Sequence, residues 1–66
     1  MEKLLKLKRD GDDVFLLVKW RGLEAADNSW ELVQHMFAAV PRMVTSFLKS
    51  SKQAALVKEA RRLLRK

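Results

Sequence analysis

The spacing of apolar and polar residues changes period twice along this chain. Residues 2–9 (EKLLKLKR) set Leu5 and Leu7 against Lys6 and Lys8, an imperfect alternation that predicts a strand with one buried face. Asp10-Gly11-Asp12 follows, and an Asp-Gly step between apolar runs is a hairpin signal because glycine adopts positive φ without a Cβ clash. Residues 14–20 are β-branched, apolar and aromatic, and predict the central strand. Val14, Leu16, Val18 and Trp20 share one of its faces, and Phe15, Leu17 and Lys19 the other. Residues 21–28 break the pattern and read as a loop, residues 29–34 suit a third strand, and residues 35–40 fit no single period. Pro41 fits the first position of a helix, where its missing N–H is no loss. Met43, Val44, Phe47 and Leu48 then form a helical stripe. Ser50 and Gln53 have the spacing of a capping box, so either a new helix starts there or the first runs straight through. Residues 54–64 predict a helix with Leu56, Val57, Ala60, Leu63 and Leu64 on one stripe and Lys58, Arg61, Arg62 and Arg65 mostly elsewhere. The order predicts an α+β fold: a three-stranded antiparallel sheet with the helix after Pro41 as its lid.

Size and composition narrow the picture. Sixty-six residues make one domain at most, with about 60% of the unfolded surface buried and correspondingly small stability. The absence of cysteine excludes disulfides, thiolate metal sites and thiol chemistry. The longest stretch without a charge, residues 32–41, contains Gln34 and His35 and is far too short for a membrane span. Lys3, Lys6 and Lys8 interrupt the apolar run that a signal peptide would need near Met1. The net charge of +6 is uneven: residues 1–50 hold eight Lys/Arg against seven Asp/Glu, whereas residues 51–66 hold six against Glu59 alone. Such a basic block suits a polyanion, and equally suits a solvated helix face.

Residues 15–31, FLLVKWRGLEAADNSWE, together with VPRMVTSFLKS at 40–50, resemble a chromo domain. The resemblance lies in Val18-Lys19-Trp20, Arg21-Gly22, Asn28-Ser29-Trp30-Glu31 and Phe47-Leu48, in that order. It covers residues 2–50 and not residues 51–66, so the chain divides into a chromo-like unit, 1–50, and a basic amphipathic helical extension, 51–66. The Gly22-Leu23-Glu24 loop and Val40-Pro41 look most like chromo domains at the C-terminus of gypsy-type LTR retrotransposon integrases. The resemblance implies a curved three-stranded sheet with a helix packed across it, a core role for Trp30, and a ligand-facing role for Trp20 as one wall of a three-walled aromatic cage for methyl-lysine, held by cation–π attraction. The wall ahead of Glu2 falls where this chain begins, and the third matches Leu23, which is not aromatic. Asp27 matches an acidic position that holds the peptide.

The residues themselves leave Trp20 divided between a ligand-facing role and core or rim packing. Asp10, Asp12 and Asp13 form no calcium loop and read as turn residues. His35 has no second histidine or serine partner in a recognisable arrangement, and no glycine-rich phosphate loop is present, so no catalytic, metal or cofactor site is expected. The leading expectation is a non-catalytic, nuclear, chromatin-targeting module, the tail of a retroelement integrase, that binds a histone-like peptide through Trp20, Leu23 and Asp27. A second is DNA or RNA binding through Lys52, Lys58, Arg61, Arg62, Arg65 and Lys66, with Lys3, Lys6 and Lys8 as helpers. A third is homodimerisation through the apolar stripe of the last helix, the chain being a monomer or weak dimer.

Overall fold

The computed structural model describes residues 3–65. Three strands, β1 (Lys3–Asp10), β2 (Asp13–Lys19) and β3 (Ser29–Leu32), form an antiparallel sheet in the order β1-β2-β3. Three helices follow: α1 (Val33–Ala39), α2 (Pro41–Ser50) and α3 (Ala54–Leu64). This is the expected α+β architecture, with more helix between sheet and Pro41 than the pattern predicts.

Asp10 and Asp13 pair across the hairpin, leaving Gly11 and Asp12 as the turn. Gly11 takes φ 62° and Asp12 a negative φ, the signs of a II′ turn, whose twist matches the flanking strands. In β1 the inward residues are Leu4 and Leu7, not Leu5 and Leu7. Three residues cannot separate two positions on one face of a regular strand, and the register shift between Leu4 and Lys6 resolves the conflict: Leu5 is the extra residue of a bulge. The inner face of β2 is the predicted one, with Val14, Leu16 and Val18 each 0% exposed.

β3 ends at Leu32, two residues short of the predicted strand, because Val33 starts α1. Val33 and Met36 are buried and Phe37 and Val40 half-buried, a helical spacing of i, i+3, i+4, i+7 that emerges only when Val33 belongs to the helix. Pro41 ends α1: the residue before a proline is pushed out of the helical region, and Val40 sits at φ −138°, ψ 67°. Pro41 then opens α2, which buries Val44 and Leu48, half-buries Phe47 and leaves Met43 37% exposed.

A new helix does begin after residue 51, but without the capping box. Ser50 stays in α2 and its Oγ donates to the carbonyl of Phe47 at 3.2 Å, while Ser51 Oγ accepts the N–H of Gln53 at 3.2 Å. α3 folds back over the inner face of the sheet beside α1, touching β1 and β2. Ala60 is 0% exposed within the core, and Leu56, Val57, Leu63 and Leu64 pack half-buried on it. α2 is therefore one of three helices over the sheet rather than its sole lid.

Candidate peptide and polyanion surfaces

Trp20, Leu23 and Asp27 all lie in the connection between β2 and β3, at the end of the sheet away from the hairpin. Trp20 and Leu23 are joined by a turn: Leu23 N–H donates to the Trp20 carbonyl at 3.1 Å, with Gly22 at φ 79°, the third-position geometry of a type II turn. Leu23 projects from it, 48% exposed. Asp27 closes a single 3-10 turn, Ala25–Asp27, through its N–H to the Glu24 carbonyl at 2.9 Å, and its side chain is exposed.

Of the two tryptophans, Trp30 departs from the role that the resemblance implies, and Trp20 combines partial packing with partial exposure. Trp20 is half-buried against the inner core. Its Nε1 donates to Ser29 Oγ at 2.8 Å, and Ser29 Oγ donates to Glu31 Oε2 at 2.8 Å. Glu31 is half-buried opposite Leu16 and anchors this relay. Trp30 is not a core residue: it lies opposite Leu17 on the outer face of the sheet and is 38% exposed. The physical reason is parity. Ser29 pairs with inward Val18 and Glu31 with inward Leu16, so the residue between them must face outward. Lys8 reaches across that outer face, its Nζ 4.5 Å from the Trp30 ring centroid and 5.9 Å from that of Phe15. At an exposed site such a cation–π contact is worth about 0.5–1 kcal/mol.

The basic residues divide between surfaces. Lys58, Arg61, Arg62 and Arg65 stand exposed on α3, and Arg9 joins them from β1, since Arg9 pairs with Val14 and so points to the helix side. Together with Glu59 they line a groove of about 450 Å³. Arg62 forms a two-pronged ion pair with Glu59, its Nε donating to Oε1 at 2.9 Å while Nη2 contacts the same oxygen. That hydrogen bond holds the Glu59 carboxyl below its ordinary 4.5 and raises the Arg62 guanidinium. Lys52 is exposed between α2 and α3, and Lys66 lies outside the described residues. Lys3, Lys6 and Lys8 lie across the sheet from this groove, so the structure pairs Arg9 rather than these lysines with α3. Sequence periodicity alone could have assigned Arg9 to the Leu7 face. His35 is exposed on α1.

Among the described residues, no three His, Asp or Glu side chains gather as a metal site, and no helix is long and apolar enough to cross a membrane. The apolar stripe of α3 packs on its own chain, which removes the main support for its pairing with a second copy.

The family model for the chromo (chromatin organisation modifier) domain matches residues 1–50. No curated protein and no solved structure matches the chain. Chromo domains are in general non-catalytic modules that bind chromatin and histone-type peptides, usually in the nucleus. With the strand order, the β2–β3 connection and the match in agreement, this chain belongs to the chromo domain family.

Proposed function

We propose that this domain is a nuclear chromatin-targeting module that takes an extended, histone-like peptide beside the β2–β3 connection, and that it serves as the tail of a retroelement integrase. The observation that carries the peptide reading is the grouping of exposed Leu23 and exposed Asp27 around half-buried Trp20 in one turn-stabilised loop. Among the described residues, β1 and β3 each pair with β2 alone, so each has an edge at which a peptide strand can add. Asp27 and Glu24 suit a basic peptide. The integrase assignment rests on the likeness of Gly22-Leu23-Glu24 and Val40-Pro41 to that subgroup.

Leu23 leaves the aromatic cage incomplete, so methylation adds little: trimethylation of the peptide lysine is expected to strengthen binding by less than about tenfold. NMR titration with unmodified and trimethylated histone-tail peptides, following the indole N–H signals of Trp20 and Trp30, tests this. Leu23→Tyr should raise the methyl preference and Asp27→Asn should weaken both peptides. Failure of either peptide to perturb residues 20–28 at millimolar concentration overturns the reading.

A second reading has its own support in the groove that Arg9 forms with Lys58, Arg61, Arg62 and Arg65. With a duplex bound there, these side chains would neutralise three to five phosphates, giving a slope of roughly −3 to −4 in log affinity against log salt. Arg61→Gln, Arg62→Gln and Arg65→Gln together should flatten that slope and leave peptide binding at Trp20 unchanged. Absence of duplex binding at low salt makes the groove a solubility feature.

A further inference from the structure

The helices cover one face of the sheet and leave the other to an aromatic pair. Phe15, Leu17 and Leu32 are half-buried there, Trp30 is exposed, and among the described residues none of the four is part of the packing around the inner core. Phe15 lies opposite Leu32, and Leu17 opposite Trp30, so the four side chains form one contiguous patch across β2 and β3. Lysines border it on the β1 side. Lys6 pairs with Leu17 and Lys8 with Phe15 in register, and Lys3 continues the same row; all three are exposed. Among the described residues, the carboxylates of β1 and β2 on this face, Asp10 and Asp13, sit at the hairpin end, and Glu31 points to the opposite side of the sheet.

We infer that this outer face, centred on Trp30 and Phe15 and bordered by Lys3, Lys6 and Lys8, is a binding site for single-stranded nucleic acid. Unpaired bases offer π-faces that stack on exposed aromatic rings whatever their sequence, while a row of ammonium groups follows the phosphates. Bases within a duplex are already stacked on one another and cannot use such rings. The charge also selects the occupant. A basic peptide is repelled by the lysine row, whereas a polyanion is attracted to it. Lys8 now covers the Trp30 ring, and its long flexible stem lets the ammonium swing from ring to phosphate, which exposes the ring as the base arrives. Asp10 and Asp13 confine the strand to the end of the face where Lys3 and Lys6 lie. The site is on the far side of the sheet from the α3 groove and stands independently of it.

The test uses the whole chain with a fluorescein-labelled twelve-residue oligothymidylate, its duplex form and an acidic peptide, at about 20 mM salt, where phosphate contacts are strongest. Oligothymidylate should shift the Trp30 indole N–H signal and leave that of Trp20 in place. Trp30→Leu should weaken binding roughly fivefold to a hundredfold, the effect of losing one stacked base. Trp30→Phe should restore most of it, which a purely structural role for the indole would not predict. The α3 triple glutamine variant should keep the Trp30 shift. The inference fails if the Trp30 signal does not move, if Trp30→Leu binds as the wild type does, if duplex binds as tightly as single strand through Trp30, or if the acidic peptide moves the Trp30 signal while the oligonucleotide does not.

Discussion

Leu16 and Trp30 sit on adjacent strands and face opposite ways, and their exposures of 0% and 38% set different consequences for truncation. Leu16→Ala leaves a cavity under α1 and α3 and should cost about 2–5 kcal/mol. A domain of this size has roughly 3–10 kcal/mol in total, so that variant should be largely unfolded or close to it by urea titration. Trp30→Ala removes a 38% exposed ring that lies opposite Leu17 and under Lys8, and should keep cooperative unfolding with a loss of about 1 kcal/mol. A Trp30→Ala variant that does not fold would mean that the outer face is part of the core. Trp20 is held differently. Trp20→Phe deletes the donor to Ser29 while keeping most of the apolar ring, and should destabilise by about 0.5–1.5 kcal/mol, read from the denaturation midpoint.

At the scale of elements, the hairpin and α3 each carry a separable contribution. Gly11 has open space around the position of a Cβ, so Gly11→Ala adds no clash and only the backbone penalty of a positive φ. That penalty is about 1 kcal/mol, and Gly11→Asn should lose less because asparagine tolerates the left-handed region. Midpoints of the two variants compared with wild type check the ranking. On α3, the pair between Glu59 and Arg62 fixes the sign of an acid effect. Arg62 lowers the Glu59 pKa in the folded chain, so the folded state binds the proton less readily than the unfolded one. The pair's contribution is complete above 4.5 and disappears as pH falls through the lowered folded value. Glu59→Gln should therefore reduce stability slightly at neutral pH, and the difference from wild type should shrink as the pH falls below 4.5 and through the lowered folded value. A midpoint difference that persists undiminished in acid would rule the ion pair out as its source.

For the whole molecule, the question is how a chain of 66 residues closes a core without disulfides. The inner face of the sheet is covered jointly: Val33 and Met36 come from α1, Val44 and Leu48 from α2, and Ala60 from α3. A chain cut after residue 51 loses Ala60 and the packing of Leu56, Val57, Leu63 and Leu64, and should show a non-cooperative thermal transition with collapsed amide dispersion. By contrast, the triple glutamine variant of α3 changes only exposed side chains and should unfold with nearly the wild-type midpoint. If the cut chain melts cooperatively at the wild-type temperature, α3 is an appendage and not part of the core.

The inner face of β2, the glycine turn, the helix opened by Pro41 and the amphipathic character of α3 were all legible in the chain, because each follows from local periodicity or from one residue's backbone restriction. So was the family, through short motifs in fixed order. What needed three dimensions was the pairing of one element with another. The bulge at Leu5 exists because Leu4 and Leu7 must both meet β2, a demand that β1 alone does not express. The orientation of Trp30 is set by strand register: the pairing of Ser29 and Glu31 with inward residues turns the ring outward, and a short apolar segment read by itself does not say which of its faces is covered. The start of α1 was hidden because Val33 satisfies both a strand and a helix pattern, and only the packed core, in which Val33 is buried with Met36, distinguishes them. Arg9 and Lys8, neighbours in sequence, were sent to opposite sides of the molecule by the same alternation, one toward the groove of α3 and the other over the Trp30 ring.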